Sequence, residues 1–397
     1  MSAKQALPGP STVASNLTWT AVFWVLTSLS AMANPVVDAN PTPCITASTH
    51  FTSIQAAVNA ALPGTVIFVC PGDYAEQVTI DTPLTLQGVS AANHGAAVIV
   101  PPSSAAGGLA SNGGDFISAL GFNRPTTVQV LVHATNVNLV DLAVDGAGAF
   151  PDCVTSPAVI GVGYDVNSSG SLKRVAVRNQ AVPLPGGGYC EFGIGGAGVG
   201  IISLSASGVT VTDSSVRGFN TVGIESFGGP AVVTTTVIAS VSGTYTGPCV
   251  FAYAAQAIAI QITSNTVSSC STGLTVEGAN QSVTATVNGN TIVNVGTGIL
   301  LYYSGTSTVY GNTIGGAYTG ISAGWLGAPN LGLTSTVLFN DISAVTVGIS
   351  FSNFPFFTPP GSTATGNTIS DALYGVIGIT GNTVGGNRFL NVATLQE

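Results

Sequence analysis

The decapeptide TVNGNTIVNV at 286–295 returns as TVGGNRFLNV at 383–392. Its central asparagine marks a register through Asn265, Asn290, Asn312, Asn340, Asn367 and Asn387, in steps of 25, 22, 28, 27 and 20 residues. A period of this size, with short apolar alternation and one residue type at a fixed place, is the signature of a solenoid. One such coil has too little apolar surface to fold alone, so it is stable only when stacked on its neighbours. The asparagines are expected at the bend between two strands. Asparagine tolerates left-handed geometry there, and its amide can bond from coil to coil.

Composition agrees with many short strands and tight turns. Charged residues are 6% of the 397 and hydrophobic residues 45%, which excludes ordinary disorder. The net charge of −9, with seven Lys and Arg, leaves no basic track for nucleic acid.

Residues 17–33 (LTWTAVFWVLTSLSAMA) form an uncharged apolar run ending in Ala31-Met32-Ala33, a small-x-small cleavage pattern. Residues 1–33 are therefore read as a signal peptide, with a membrane anchor as the alternative. Residues 34–43 are read as a linker and 44–397 as the solenoid. The expected location is secreted, cell-surface or periplasmic, with no membrane contact after cleavage. Six cysteines in an exported chain, none in a Cys-x-x-Cys pair, suggest disulfides. Proximity favours Cys44 with Cys70, Cys153 with Cys190 and Cys249 with Cys270.

At the N-terminal side, Phe51, Ile54, Val58 and Leu62 share one helical face, with Thr52 or Ser53 as cap. Such a helix would cover the open end of the stack. The segments TSIQAAV at 52–58, VCPGDYAE at 69–76, whose GDYAE is read as a turn, and PLTLQG at 83–88 resemble the opening of the pectin-lyase-like superfamily. The resemblance spans about residues 44–393. It implies an all-β fold, a right-handed single-stranded parallel β-helix with a short capping helix. It does not imply an activity, because these motifs are structural in the superfamily. The Asn-Thr-Asp, Asp-Asp and Gly-His-Gly motifs of polygalacturonases are missing, and esterase-like fragments at Asp115 and Gln256 occur in the wrong order, so no catalytic residue transfers.

Two constellations are candidates for function. In coil register, Asp141, Arg174 and Asp213 fall one residue before the asparagine position, and Asp145, Arg178 and Arg217 three after it. Rungs ~4.8 Å apart would bring opposite charges together. The columns are read either as an exposed ion-pair ladder or as a catalytic groove acting on a sugar acid. The second constellation is aromatic. Loops after Gly-Ile strands carry Phe227, Tyr302, Tyr303, Trp325, Phe354, Phe356 and Phe357, a row suited to sugar faces or to plugging the flank.

No metal site is expected. His50, His94 and His133 are scattered, and Met1 and Met32 are the only methionines, whereas a copper-handling β-helix would offer soft or imidazole ligands. No cofactor is expected, except Ca2+ if the protein were a lyase. The expected function is binding of a polysaccharide or cell-surface glycan without clear catalytic machinery. The alternatives are a polysaccharide lyase or carbohydrate esterase on an acidic glycan, and a structural matrix protein.

Overall fold

The computed structural model describes residues 34–38, 44–46, 49–89, 96–103, 108–116, 125–149, 158–181, 183, 188–189, 197–241, 247–254, 256–324, 333–351 and 361–396, without the side chains of 279–282 and 303–304. Residues 1–33, read above as a signal peptide, and Cys153, Cys190, His94, Trp325, Phe354, Phe356 and Phe357 lie outside them, as does the side chain of Tyr303. No helix among the described residues is long and apolar enough to cross a membrane.

The chain is a right-handed parallel β-helix with three strand faces. A typical coil runs through a first-sheet strand such as Leu333–Leu338, turns at the asparagine, and enters a short second-sheet strand. It then turns again into a third-sheet strand such as Thr319–Gly324. Eleven successive parallel pairings link the second sheet from Gly72–Ala75 to Arg388–Gln396, so it has twelve strands among the described residues. The interior is one apolar column: Ile292, Ile314, Ile342 and Ile369 of the second sheet are each 0% exposed.

The corners explain the repeat. Asn290, Asn312, Asn340 and Asn367 are buried, and each side-chain NH2 donates to the Oδ1 of the next asparagine at 2.9 Å. The left-handed residue of the turn is not the asparagine but the one before it: Ser264, Gly289, Gly311, Phe339 and Gly366 have φ of 57, 63, 62, 51 and 69°. The asparagine's contribution is its amide, which satisfies backbone groups a tight corner would otherwise bury unpaired. The Gly-Ile pairs have a separate cause. At Gly320 a Cβ would lie 2.6 Å from the carbonyl oxygen of Gly348 and 2.6 Å from Cγ2 of Ile342. Only glycine lets the third sheet start this close to the second.

The N-terminal helix, Ile54–Ala60, buries Ile54, Ala57 and Val58 against the first coils and is capped by Ser53. It is shorter than expected: Pro63-Gly64 follows so closely that Leu62 falls outside it, 59% exposed. Residues 72–75 form a strand pairing with Ala97–Val100, where a turn was expected. This placement brings Glu76 to the helix start, where its carboxylate accepts from Ser53 Oγ and the Ile54 and Gln55 amides at 2.8–2.9 Å. Glu76→Ala should therefore loosen the cap and lower stability by about 1–3 kcal/mol, read by chemical denaturation.

The linker reading of residues 34–43 also needs correction at its start. Val36–Val37 is a strand with both side chains 0% exposed, pairing with His50–Phe51 and with Thr65–Val69. Two valines beside an unpaired first-sheet edge bury apolar area and complete its hydrogen bonds, which a free linker would forgo. Disulfides join Cys44 to Cys70 and Cys249 to Cys270, as proximity suggested.

Candidate functional site

The charged columns meet as their register predicts. Asp141, Arg174 and Asp213 occupy the left-handed corner position, with φ of 55, 53 and 50°. Arg174 donates to both carboxylate oxygens of Asp141, at 2.5 and 2.8 Å. Arg178 donates to Asp145 at 2.7 Å, and Asn179 to the other oxygen of the same carboxylate at 2.9 Å. The Arg174 hydrogen bonds hold the Asp141 carboxyl below its ordinary range. Burial pushes Asp145 up, but hydrogen bonds from Arg178, Asn179 and the Ala147 amide outweigh it and leave the carboxyl lowered. Arg217 lies in register beside Arg178, and Asp213 contacts Thr235. The arginines and Asp213 are exposed, and Asp141 and Asp145 half-buried. This is an ion-pair ladder on the surface, where such pairs add little stability.

A different constellation lies on the outer face of the third sheet. Alternation sends Ile224 into the core and Glu225 outward. Glu225 is in register with Ile202 on one side and Phe251 on the other. It is 4% exposed, its Oε2 has no hydrogen-bond partner, and burial raises its carboxyl to about 8. At neutral pH it is therefore mostly a protonated acid, a donor where a glutamate is normally an acceptor.

Two residues further along each strand runs a parallel row. Phe227, Tyr253, Glu277 and Tyr302 are register partners on consecutive rungs. Towards the N-terminal coils, Leu204, Asp165 and His133 continue the same position, four residues after the Gly-Ile glycine or its equivalent. His133 Nδ1 is hydrogen-bonded to Asp165, whose other oxygen accepts the Asn167 amide at 3.1 Å. Phe227 and Tyr253 stack at 4.6 Å with planes 12° apart. Burial raises the Glu277 carboxyl; burial and then the Glu277 charge raise the Tyr302 phenol.

Sequence reasoning reached Phe227 and Tyr302 but passed over Tyr253 and Glu277. A four-residue offset from Gly273, which precedes Leu274, would have found Glu277, whereas Cys249 holds the equivalent place before Tyr253 and only the strand register finds that ring. The row also differs from an array of free rings, because Phe227 gives one face to Tyr253. An apolar cluster of Phe116, Val128, Leu131, Ile160, Val199, Ile202 and Val222 roofs the early rungs of this face. Phe116 comes from the small-residue excursion after Pro101-Pro102, so part of that excursion packs on the sheet.

Residues 202–396 match the family described as periplasmic copper-binding protein (NosD). The structure is similar to the A-module of the mannuronan C-5 epimerase AlgE4 from Azotobacter vinelandii, at 16% identity and a TM-score of 0.57, over 87% of this chain and 93% of that one. The chain has the right-handed parallel β-helix fold. The surface protein and adhesin PfbA of Streptococcus pneumoniae also resembles this β-helix, at 11% identity and a TM-score of 0.50, over 87% and 95% of the two chains. At these identities the likeness shows the fold alone. No curated protein sequence matches the chain.

Among the described residues the donors do not suit copper. Asp38, Cys44 and Cys70 bring ligand atoms within 4.8 Å of one another, but both sulfurs are spent in a disulfide and offer no thiolate. His133 is engaged by Asp165, and His50 lies on a strand remote from it in sequence. No step through a metal is derived.

Proposed function

We propose that this is an exported protein, periplasmic or at the cell surface, that holds an extended polysaccharide along the outer face of the third sheet. The carrying observation is the in-register row from His133 to Tyr302, with Glu225 beside it. A polymer lying along the helix axis meets a polar or aromatic side chain on every rung of the row except that of Leu204, which a compact ligand could not. The neighbours lend support, one being named for mannuronan and one as an adhesin. The aromatics Tyr303, Trp325, Phe354, Phe356 and Phe357 belong to the same proposal, since they follow later Gly-Ile strands in sequence.

A second reading, catalysis on the bound glycan, draws on Glu225, because an acid kept protonated at neutral pH is what proton donation to a leaving group needs. The charged columns favour an enzyme less. Calcium binding by Asp141, Asp145 and Asp213 would compete with Arg174 and Arg178, and an arginine bonded to a carboxylate is a poor base.

Glycan-array and titration measurements test the first reading. Glu277→Gln and Tyr302→Ala should each weaken binding by about tenfold, the equivalent of one or two hydrogen bonds, while Arg174→Ala leaves it unchanged. Binding lost in Arg174→Ala and kept in both row variants would overturn it. Release of unsaturated or reducing ends, with or without calcium, would favour catalysis.

A further inference from the structure

We infer that the polysaccharide held on this face is uncharged, its hydroxyls bonded by the carboxyl and phenol groups of the row; this rests on the binding reading above. The partly exposed polar groups of the face are Glu277 and the hydroxyls of Tyr253 and Tyr302; Asp165, bonded to His133 and the Asn167 amide, and Glu225 lie buried on it. A carboxyl serves a sugar hydroxyl in either protonation state, accepting when ionised and donating when protonated, and a phenol does both.

The cations are placed elsewhere. Lys173 ends a first-sheet strand, Arg174 sits at the corner that follows, Arg178 and Arg217 end second-sheet strands, and Arg388 begins the last of them. These are all the Lys and Arg among the described residues; Lys4 and Arg124 lie outside them. Arg174 and Arg178 are further committed to Asp141 and Asp145. The imidazole of His133 already faces Asp165. A uronate laid along the row would set its carboxylate beside that of Glu277, with no cation there to pair it among the described residues, in a chain whose net charge is −9. Like charges so close disfavour binding, whereas a neutral chain meets only hydrogen-bonding partners.

The test titrates the full chain with neutral gluco-, manno- and galacto-oligosaccharides, and with oligomannuronate and oligogalacturonate of equal length, all in EDTA at low and high salt. One neutral series should bind with a Kd that salt leaves within about twofold, and the uronates at least tenfold more weakly at low salt. Glu277→Gln and Tyr302→Phe, both conservative enough to fold, should lower affinity for the neutral series. Uronates binding as tightly as neutral chains, in EDTA or only after calcium is restored, would overturn the inference and leave the binding reading standing. Binding of neither class would sink both.

Discussion

Replacing Asn312 with alanine is expected to destabilise the protein by about 3–5 kcal/mol. The side chain is 0% exposed and fully bonded. Its oxygen accepts from the Asn290 amide N–H and side-chain NH2, both at 2.9 Å, and its nitrogen donates to Val287 O at 3.0 Å and Asn340 Oδ1 at 2.9 Å. Alanine removes this one group and strands partners on the coils both before and after it. Each buried polar atom left unpaired costs about 1–3 kcal/mol, and water has little room to replace the amide at a buried corner. Asn387→Ala is the control. It lies in the last described coil, is half-buried, and accepts from Asn367 while donating to Ala364 O, so its loss should cost roughly half as much. Denaturant midpoints with unchanged slopes would measure both. A change below about 1 kcal/mol at Asn312 would mean that the ladder follows from the fold and does not support it.

That ladder was the most legible part of the chain, for a physical reason. A corner repeated on every rung places the same demand each time, so one residue type recurs and its period can be read directly. The charge register was legible too, since Asp141, Arg174 and Asp213 are counted from that corner. Its meaning became clear only when the guanidinium groups were found on the carboxylates, a matter of side-chain direction. Residues 34–38 were misread because a two-residue strand leaves almost no periodicity. Glu76 in GDYAE could be recognised as part of a motif, but its bond to the helix start crosses 22 residues and no local pattern reports it.

The third-sheet row was harder to see for the opposite reason. Its members are chemically unlike one another, and His133, Asp165, Leu204 and Phe227 are separated by loops of differing length. A type-based search therefore finds only the aromatics. The shared feature is the strand register, four residues after a position that is glycine before Asp165, Leu204, Phe227, Glu277 and Tyr302 but Gln129 before His133 and Cys249 before Tyr253. Stacking of Phe227 on Tyr253 follows from the same register: rings on adjacent rungs are one strand spacing apart, close to the 4.6 Å observed.

Glu225→Gln should make the protein more stable, by a margin that grows with pH. The folded-state value of about 8 stands above the ordinary 4.5, because the carboxyl is buried beside Ile202 and Phe251. Between those values the native protein holds a proton that the unfolded chain has released. The stabilising share of Glu225 is thus complete below pH 4.5 and is lost as pH rises through about 8, at up to about 1.4 kcal/mol per pH unit. Glutamine has no such proton. Its advantage over the native residue should be near zero at pH 5 and reach about 2–4 kcal/mol by pH 8, less whatever its amide loses for want of a partner. Paired thermal melts across this range check it, and a difference that does not change with pH would mean that Glu225 is solvated and ionised. The same variant bears on function. A glutamine still donates a hydrogen bond, so if Glu225 serves only to bind a glycan hydroxyl, affinity near pH 6 should survive and should no longer fall at alkaline pH. If Glu225 transfers a proton, binding should persist while turnover disappears. A destabilising acid kept on the face that carries the row is understandable in either case, because the protonated carboxyl supplies a donor that the neighbouring apolar residues cannot.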